Sequence, residues 1–272
     1  MEKLQVSILL GTANSVSYNQ DYDPIDTLNF ARQSDFEMVQ IYLNQQLITD
    51  SIQLKKIKKY LVKYPALKVV FHSDISLSNR LFASDYYKNL YDYLERFDDF
   101  RIIFHFDETE VLESILGLLK TIQRSAGRIY IENYFQFPGT TEAEKNLRKF
   151  MAIFSLTSDS NPLLYPVLDI PRFFQSGLGF SSEEALNWCY QLLNFFGNRQ
   201  IPLLLHLIDS KDPQQQKSDY CPVGDGYIPY SQIFSFIKKN KVGLEGIIFE
   251  YLDKINTLKS RESLKKILGE IN

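Results

Sequence analysis

The chain of 272 residues holds only three histidines, His72, His105 and His206, which end or nearly end the apolar runs VVF, IIF and LLL. Three acids sit in the same kind of place. Glu132 follows IYI, Asp169 follows PVL and Glu250 follows IIF. Taken singly, a histidine at a strand end is most often an ordinary packed residue, and such a glutamate most often pairs with a nearby Lys or Arg. Taken together they ask for another account, because burying a carboxylate is costly unless it is paired or bound to metal. No histidine is spent anywhere else. His72, His105, Glu132, Asp169, His206 and Glu250 are therefore the expected ligands of a shared metal site. Imidazole with carboxylate, and no thiolate-rich set, suits Zn, Mn, Fe or Co. Such an ion could lower the pKa of a water, polarise a phosphoryl or carbonyl oxygen, or orient two hydroxyls.

Six side chains can share a site only if the fold brings the ends of their runs together. The strand-like runs are LQVSILL, FEMVQIYL, LKVVFH, RIIFHF, RIYIEN, LLYPVLD, IPLLLHLID and GIIFEYL, each nearly continuous in apolarity, as buried parallel strands are. Between several of them lie amphipathic segments such as SIQLKKIKKYLVKY, ETEVLESILGLLKTIQ, YSQIFSFIKKN and SRESLKKILGEI. TTEAEKNLRKFMAIF and SSEEALNWCYQLLNFF each open with Ser or Thr followed by Glu, a helix-start signature. Strand alternating with helix predicts parallel βαβ units. Eight such units predict an α/β fold, a (β/α)8 TIM barrel formed as one domain over residues 1–272, with an open doubly wound sheet as the rival. A barrel aims all its strand ends at one mouth, where active sites are built. The polar loop from Asp209 to Pro229 is long enough to expect a function for it.

Composition bounds the rest. Hydrophobic residues make up 44% and charged residues 23%, and the formal net charge is −3, so the whole chain carries no basic footprint for nucleic acid. A local basic patch would still serve. Of the two cysteines, Cys189 lies in an expected helix beside Trp188 and Cys221 in a polar loop, which is no disulfide framework and predicts a cytoplasmic location. The opening MEKLQVSILL reads as a strand rather than a signal peptide. No run approaches the ~20 apolar residues of a membrane span, so no membrane partner is expected.

Four stretches resemble the endonuclease IV family, within the xylose isomerase-like barrels. They are IYIEN from Ile129, VLDIPRFFQSGLGFSSEEA from Val167, HLIDSKDPQQQKSDYCPVGDGYI from His206, and FEYLD around Glu250. The resemblance implies a metal-dependent hydrolase that cuts DNA at abasic sites with three zinc ions. By position, His72, His105 and Glu132 match one ion's ligands, and Glu132, Asp169, His206 and Glu250 match a second. The third set is interrupted. Asp219 is in place, but Arg172 and Cys221 stand where the family has histidines, and an Arg cannot bind a cation. The resemblance thus implies one or two ions, zinc or manganese, with Asp219 and Cys221 as possible further ligands. Either the Arg172 guanidinium, held by Asp219, replaces the missing cation, or the two form a plain loop salt bridge. The family's Gly-Ala-His-Val-Ser opening is missing from GTANSVS, no arginine stands in LNQQLI, and HSDISLSN lacks the tyrosine that fills the abasic gap.

Three functions follow from these residues. The first is a phosphodiesterase acting on abasic DNA, with Glu132, Glu250 and Arg172 as its catalytic residues. The second is a sugar isomerase or epimerase acting on a small sugar or sugar phosphate, with one ion on Glu132, Asp169, His206 and Glu250 and the two glutamates shuttling a proton. The third is a barrel that binds without turnover. Tyr134, Phe135 and Phe137 follow Glu132 and could stack on a sugar or base, though packing of their loop is the simpler expectation.

Overall fold

The computed structural model describes residues 8–122, 127–157 and 163–270. Eight parallel strands close a barrel: β1 (Leu9–Ala13), β2 (Met38–Leu43), β3 (Lys68–Ser73), β4 (Arg101–His105), β5 (Arg128–Glu132), β6 (Leu164–Asp169), β7 (Leu203–Leu207) and β10 (Leu244–Phe249). A two-stranded hairpin, β8 (Asp209–Ser210) and β9 (Tyr220–Cys221), rises from the loop after β7. Each barrel strand leads to a longer helix: α1 (Pro24–Gln33), α2 (Ser51–Lys63), α3 (Asp85–Leu94), α4 (Leu112–Ile122), α5 (Thr140–Thr157), α6 (Ser182–Asn198), α7 (Tyr230–Lys239) and α8 (Lys254–Glu270). The closed order excludes the open-sheet rival.

The expected strands differ from the observed ones mainly at the start. LQVSILL is more apolar than LLGTA, yet β1 is the latter, and residues 4–7 of the expected strand lie outside the described residues. Pairing decides the frame: Leu9–Thr12 align with Gly246–Phe249 of β10, and Gly11–Ala13 with Met38–Gln40 of β2. Helices α1 and α3 were not expected from the sequence. Helix α1 opens on Asp23, whose side chain accepts from the Ile25 amide, with Pro24 at its first position. The start signature of α6 is a full capping box between Ser181 and Glu184.

What positions the site is the pleat. The barrel interior carries one layer of packed side chains with a member from every strand: Ala13, Met38, Val70, Ile103, Tyr130, Val167, Leu204 and Ile248. Side chains alternate across a strand, so the residue two positions on faces the same interior one layer nearer the mouth. Those residues are Gln40, His72, His105, Glu132, Asp169, His206 and, just past β10, Glu250, all of them polar. An apolar plug under a polar rim is thus written into β2 to β7 and β10. At the other end of the barrel, Glu245 accepts from the Tyr130 hydroxyl at 2.8 Å and from Arg128 at 3.1 Å, with Arg101 at 3.5 Å.

The long loop after β7 is organised by a buried acid. The Asp209 carboxylate accepts from the backbone N–H groups of Ser210, Gly224, Gly226 and Ile228. A side chain on Gly226 would put its Cβ 2.1 Å from Asp209 Oδ1, so only glycine fits there. The loop also docks on the segment after β6, through Gln215 to the Pro171 carbonyl and Ser176 to the Pro213 carbonyl. Asp209→Ala leaves four amides without their acceptor and is expected to cost about 3 kcal/mol or more, since unpaired buried donors are penalised individually. Gly226→Ala should act in the same direction. Urea unfolding of the two variants checks this, and a midpoint equal to that of the native chain would refute the role given to Asp209.

Candidate metal centre

Glu132 is the point on which the rim converges. It is buried at 1% exposure at the end of β5. Its Oε2 lies 3.0 Å from His72 Nε2, 3.3 Å from His105 Nε2 and 3.4 Å from His206 Nδ1. Its Oε1 lies 3.7 Å from Arg172 Nε. The adjacent Asn133 ties β5 to β6: its Oδ1 accepts from the Asp169 amide at 2.8 Å and its Nδ2 donates to the Asp169 carbonyl. That bracket fixes the spacing of Glu132 and Asp169.

The tautomer of His72 follows from its neighbours. Its Nδ1 is 2.9 Å from the Ser73 carbonyl, an acceptor, so Nδ1 carries a hydrogen. In the neutral ring Nε2 is then a lone pair aimed at a carboxylate oxygen. Two acceptors at 3.0 Å require a cation between them, either a proton or a metal ion. His206 adds a second demand. It is fully buried, and neither of its ring nitrogens has a hydrogen-bond partner. Among the described residues, His72, His105 and Glu132 form the one set of three whose ligand atoms all lie within 4.8 Å of one another, a geometry that fits a divalent ion.

The other expected ligands are placed around this set. Asp169 ends β6 and pairs with Arg172, which sits one turn later on the short helix Ile170–Phe173. The expected Arg172–Asp219 pair is not formed. Pro171 starts that turn and brings the guanidinium back over Asp169 and Glu132, while Asp219 contacts the Ser218 hydroxyl at 3.5 Å. Cys221 is not in an open polar loop but buried on β9, where burial, reinforced by Asp209, pushes its thiol up to about 11. It carries no thiolate near neutral pH. Glu250, just past β10, stays tied to β7 through its amide, and its Oε1 is 3.4 Å from His206 Nδ1.

Three further residues belong to the site. Gln40 and Tyr42 on β2 both donate to Glu250 Oε1, at 2.6 Å and 2.5 Å. Tyr134 does more than pack its loop. Its ring stacks on His105 at 4.2 Å and 12°, and the Arg172 guanidinium lies 4.3 Å from its centroid. Gln40 and Tyr42 were hidden inside FEMVQIYL, a run read as uniformly buried. Stepping by two from Met38 would have exposed them.

Electrostatics follow from burial and mutual proximity. Burial opposes ionisation of Glu132, but His105 and His206 outweigh it and hold the carboxyl well below its usual range. Burial raises Asp169 to about 7, against the pull of Arg172 and with Glu132 and Glu250 adding to the rise. Burial also lowers His105, to about 4, whereas Glu250 and Glu132 overcome it at His206 and raise that ring to about 9.

No protein-family model matches the chain, and no curated protein matches it by sequence. Solved structures do match. The IOLI protein with a binding zinc atom aligns with a TM-score of 0.66 at 12% identity over 97% of this chain and 99% of its own. A D-tagatose 3-epimerase-like protein aligns at 0.64 and 16% identity over 97% and 98%. An AP endonuclease, family 2, from Brucella melitensis aligns at 0.57 and 11% identity over 95% and 98%. The chain therefore shares its fold, a (β/α)8 TIM barrel, with these proteins. No described helix is long and apolar enough to cross a membrane.

A pH dependence follows. His206 binds its proton more tightly folded than unfolded, so the stabilisation is complete below about 6.5, the unfolded value, and is lost as pH rises through about 9. Asp169, also raised, acts in the same direction on rising through about 7. The metal-free protein should therefore melt at progressively lower temperature between pH 6.5 and 9. A melting temperature that climbs across that window would contradict the charged His206.

Proposed function

We propose that this protein is a metal-dependent hydrolase of phosphodiesters, with one divalent ion on His72, His105 and Glu132 and Arg172 as a fixed second cation. The observation that carries it is the convergence of His72 Nε2 and His105 Nε2 on Glu132 Oε2, at 3.0 Å and 3.3 Å. Two His with one Glu and an open remaining position is a hydrolytic zinc set rather than a structural one. Bound there, a divalent ion supplies Lewis-acid charge beside the scissile group.

The chain's own residues supply the rest. Arg172 is held by Asp169, stacked on Tyr134 and close to Glu132 Oε1, so its donors are anchored at the mouth. A guanidinium keeps its charge at every working pH and forks onto two phosphate oxygens. It can therefore neutralise charge that develops in a phosphoryl transition state without a further ion. The Tyr134 ring lies between the stacked His105 ring and the Arg172 guanidinium and so holds both in place. The substrate class is a phosphodiester of a sugar, with abasic DNA as one member. The zinc-bound IOLI protein and the AP endonuclease, which share this fold, support both halves of the reading.

One observation favours a second reading, a sugar isomerase. Glu132 and Glu250 flank the His206 ring at 3.4 Å each, an arrangement that could place two bases on opposite faces of a small sugar. The epimerase-like neighbour has the same fold.

Metal analysis separates the two. The purified chain should hold about one zinc or manganese per molecule and hydrolyse bis(p-nitrophenyl) phosphate or abasic duplex DNA. Glu132→Gln should lose ion and activity together. Arg172→Ala should keep the ion and lose about 10²-fold or more in kcat, the cost of removing one charge-stabilising donor. Sugar epimerisation without phosphodiester cleavage would replace this reading by the second.

A further inference from the structure

The six expected ligands differ in their partners, and β2 engages one of them, Glu250. Glu250 Oε1 accepts from the Tyr42 hydroxyl at 2.5 Å and from Gln40 Nε2 at 2.6 Å, with His206 Nδ1 at 3.4 Å. Both donors are fixed. Gln40 is fully buried, and Tyr42 is anchored through its amide to Asn14 Oδ1 and packs its ring 4.7 Å from that of His72. Short bonds to an ionised carboxylate are the strong kind. They engage Oε1 from β2 and leave Oε2 without a hydrogen-bond partner among the described residues. Meanwhile Glu250 stands outside the set whose ligand atoms come within 4.8 Å of one another. Gln40 has a spare acceptor as well, since its Oε1 is buried without a partner.

We propose that Glu250 is not a ligand of the ion but a free acid–base group, positioned by Tyr42 and Gln40 and separated from Glu132 by the His206 ring. This rests on the hydrolase reading above and divides its labour. Glu250 Oε2 takes a proton from the attacking water as that water's oxygen bonds to phosphorus. The bond from phosphorus to the leaving oxygen breaks, its electron pair stays with that oxygen, and the proton on Glu250 is passed to it. Atoms and charge then balance as hydrolysis of one ester bond, with Glu250 restored. Tyr42 and Gln40 are positioning residues, since they act through Glu250.

Cobalt uptake tests the division without depending on turnover. Metal-free native chain, Glu250→Gln, Tyr42→Phe and His72→Ala are each loaded with Co²⁺, and bound equivalents and visible spectra are read, with circular dichroism confirming the fold. Glu250→Gln and Tyr42→Phe should bind as much cobalt as the native chain with the same spectrum, while His72→Ala binds none. With bis(p-nitrophenyl) phosphate, Glu250→Gln should lose about 10²–10⁴-fold in kcat, the range for a general base. Tyr42→Phe should lose about tenfold, the kinetic equivalent of one hydrogen bond, with KM nearly unchanged. Loss of cobalt or an altered spectrum in Glu250→Gln overturns the proposal, and so does a Tyr42→Phe effect confined to KM. Cobalt uptake without phosphodiester cleavage overturns the hydrolase reading alone, provided the Glu250→Gln spectrum stays native. A native chain that binds no cobalt overturns both.

Discussion

A buried carboxylate with three imidazoles around one of its oxygens is the constraint from which the rest of this barrel can be understood. Glu132 sits at 1% exposure, where an isolated charge would be prohibitively costly. It remains ionised because His105 and His206 more than offset its burial. Every element that delivers a neighbour to it must therefore end at the same height. The strands achieve this by closing a parallel barrel in which His105 pairs in register with Glu132, and Asp169 with His206. A slip of one residue in any strand would turn its rim side chain out of the barrel and replace it by an apolar one. The packed layer beneath, one side chain per strand, guards against such a slip.

The fold was legible because both signals it needs are local. Near-continuous apolar runs mark strands buried on both faces, and polar residues at their ends mark a mouth. The six rim residues on β3 to β7 and β10 stood out because each interrupts its run from the end. Gln40 did not, since it lies inside FEMVQIYL and the run closes on Leu43. The partner of Arg172 was hidden for another reason. Its distance from Asp169 along the chain is three, and only a helical turn started by Pro171 folds that interval back into an ion pair. Strand β1 was misplaced because local apolarity favours LQVSILL, while the pairing that decides, with β2 and β10, is remote in sequence.

Charge shows why a cation belongs at this mouth. Glu132, Asp169 and Glu250 bring three carboxylates into a poorly solvated funnel, and Arg172 is, among the described residues, the one permanently charged partner in contact with them. The imbalance bears on the neighbouring groups: Glu250 and Glu132 raise His206 to about 9, and they add to the burial that raises Asp169 to about 7. Both shifts recruit protons as substitute positive charge. A divalent ion would do the same work with one group at the centre of the cluster, which is why metal affinity here should be coupled to proton release.

Arg172 alters what such a centre can become. A guanidinium clamped between Asp169 and the Tyr134 ring is a cation that cannot be exchanged, chelated or deprotonated under ordinary conditions. It pairs with Asp169, which lies outside the compact set of His72, His105 and Glu132. Tyr42 and Gln40 likewise engage Glu250. The rim is thereby partitioned by side-chain pairing alone: a metal-competent sector on β3 to β5, a permanent cation after β6, and a hydrogen-bonded carboxylate shared between β2 and β10. Each sector faces the same funnel, in an order set by the circular sequence of the strands.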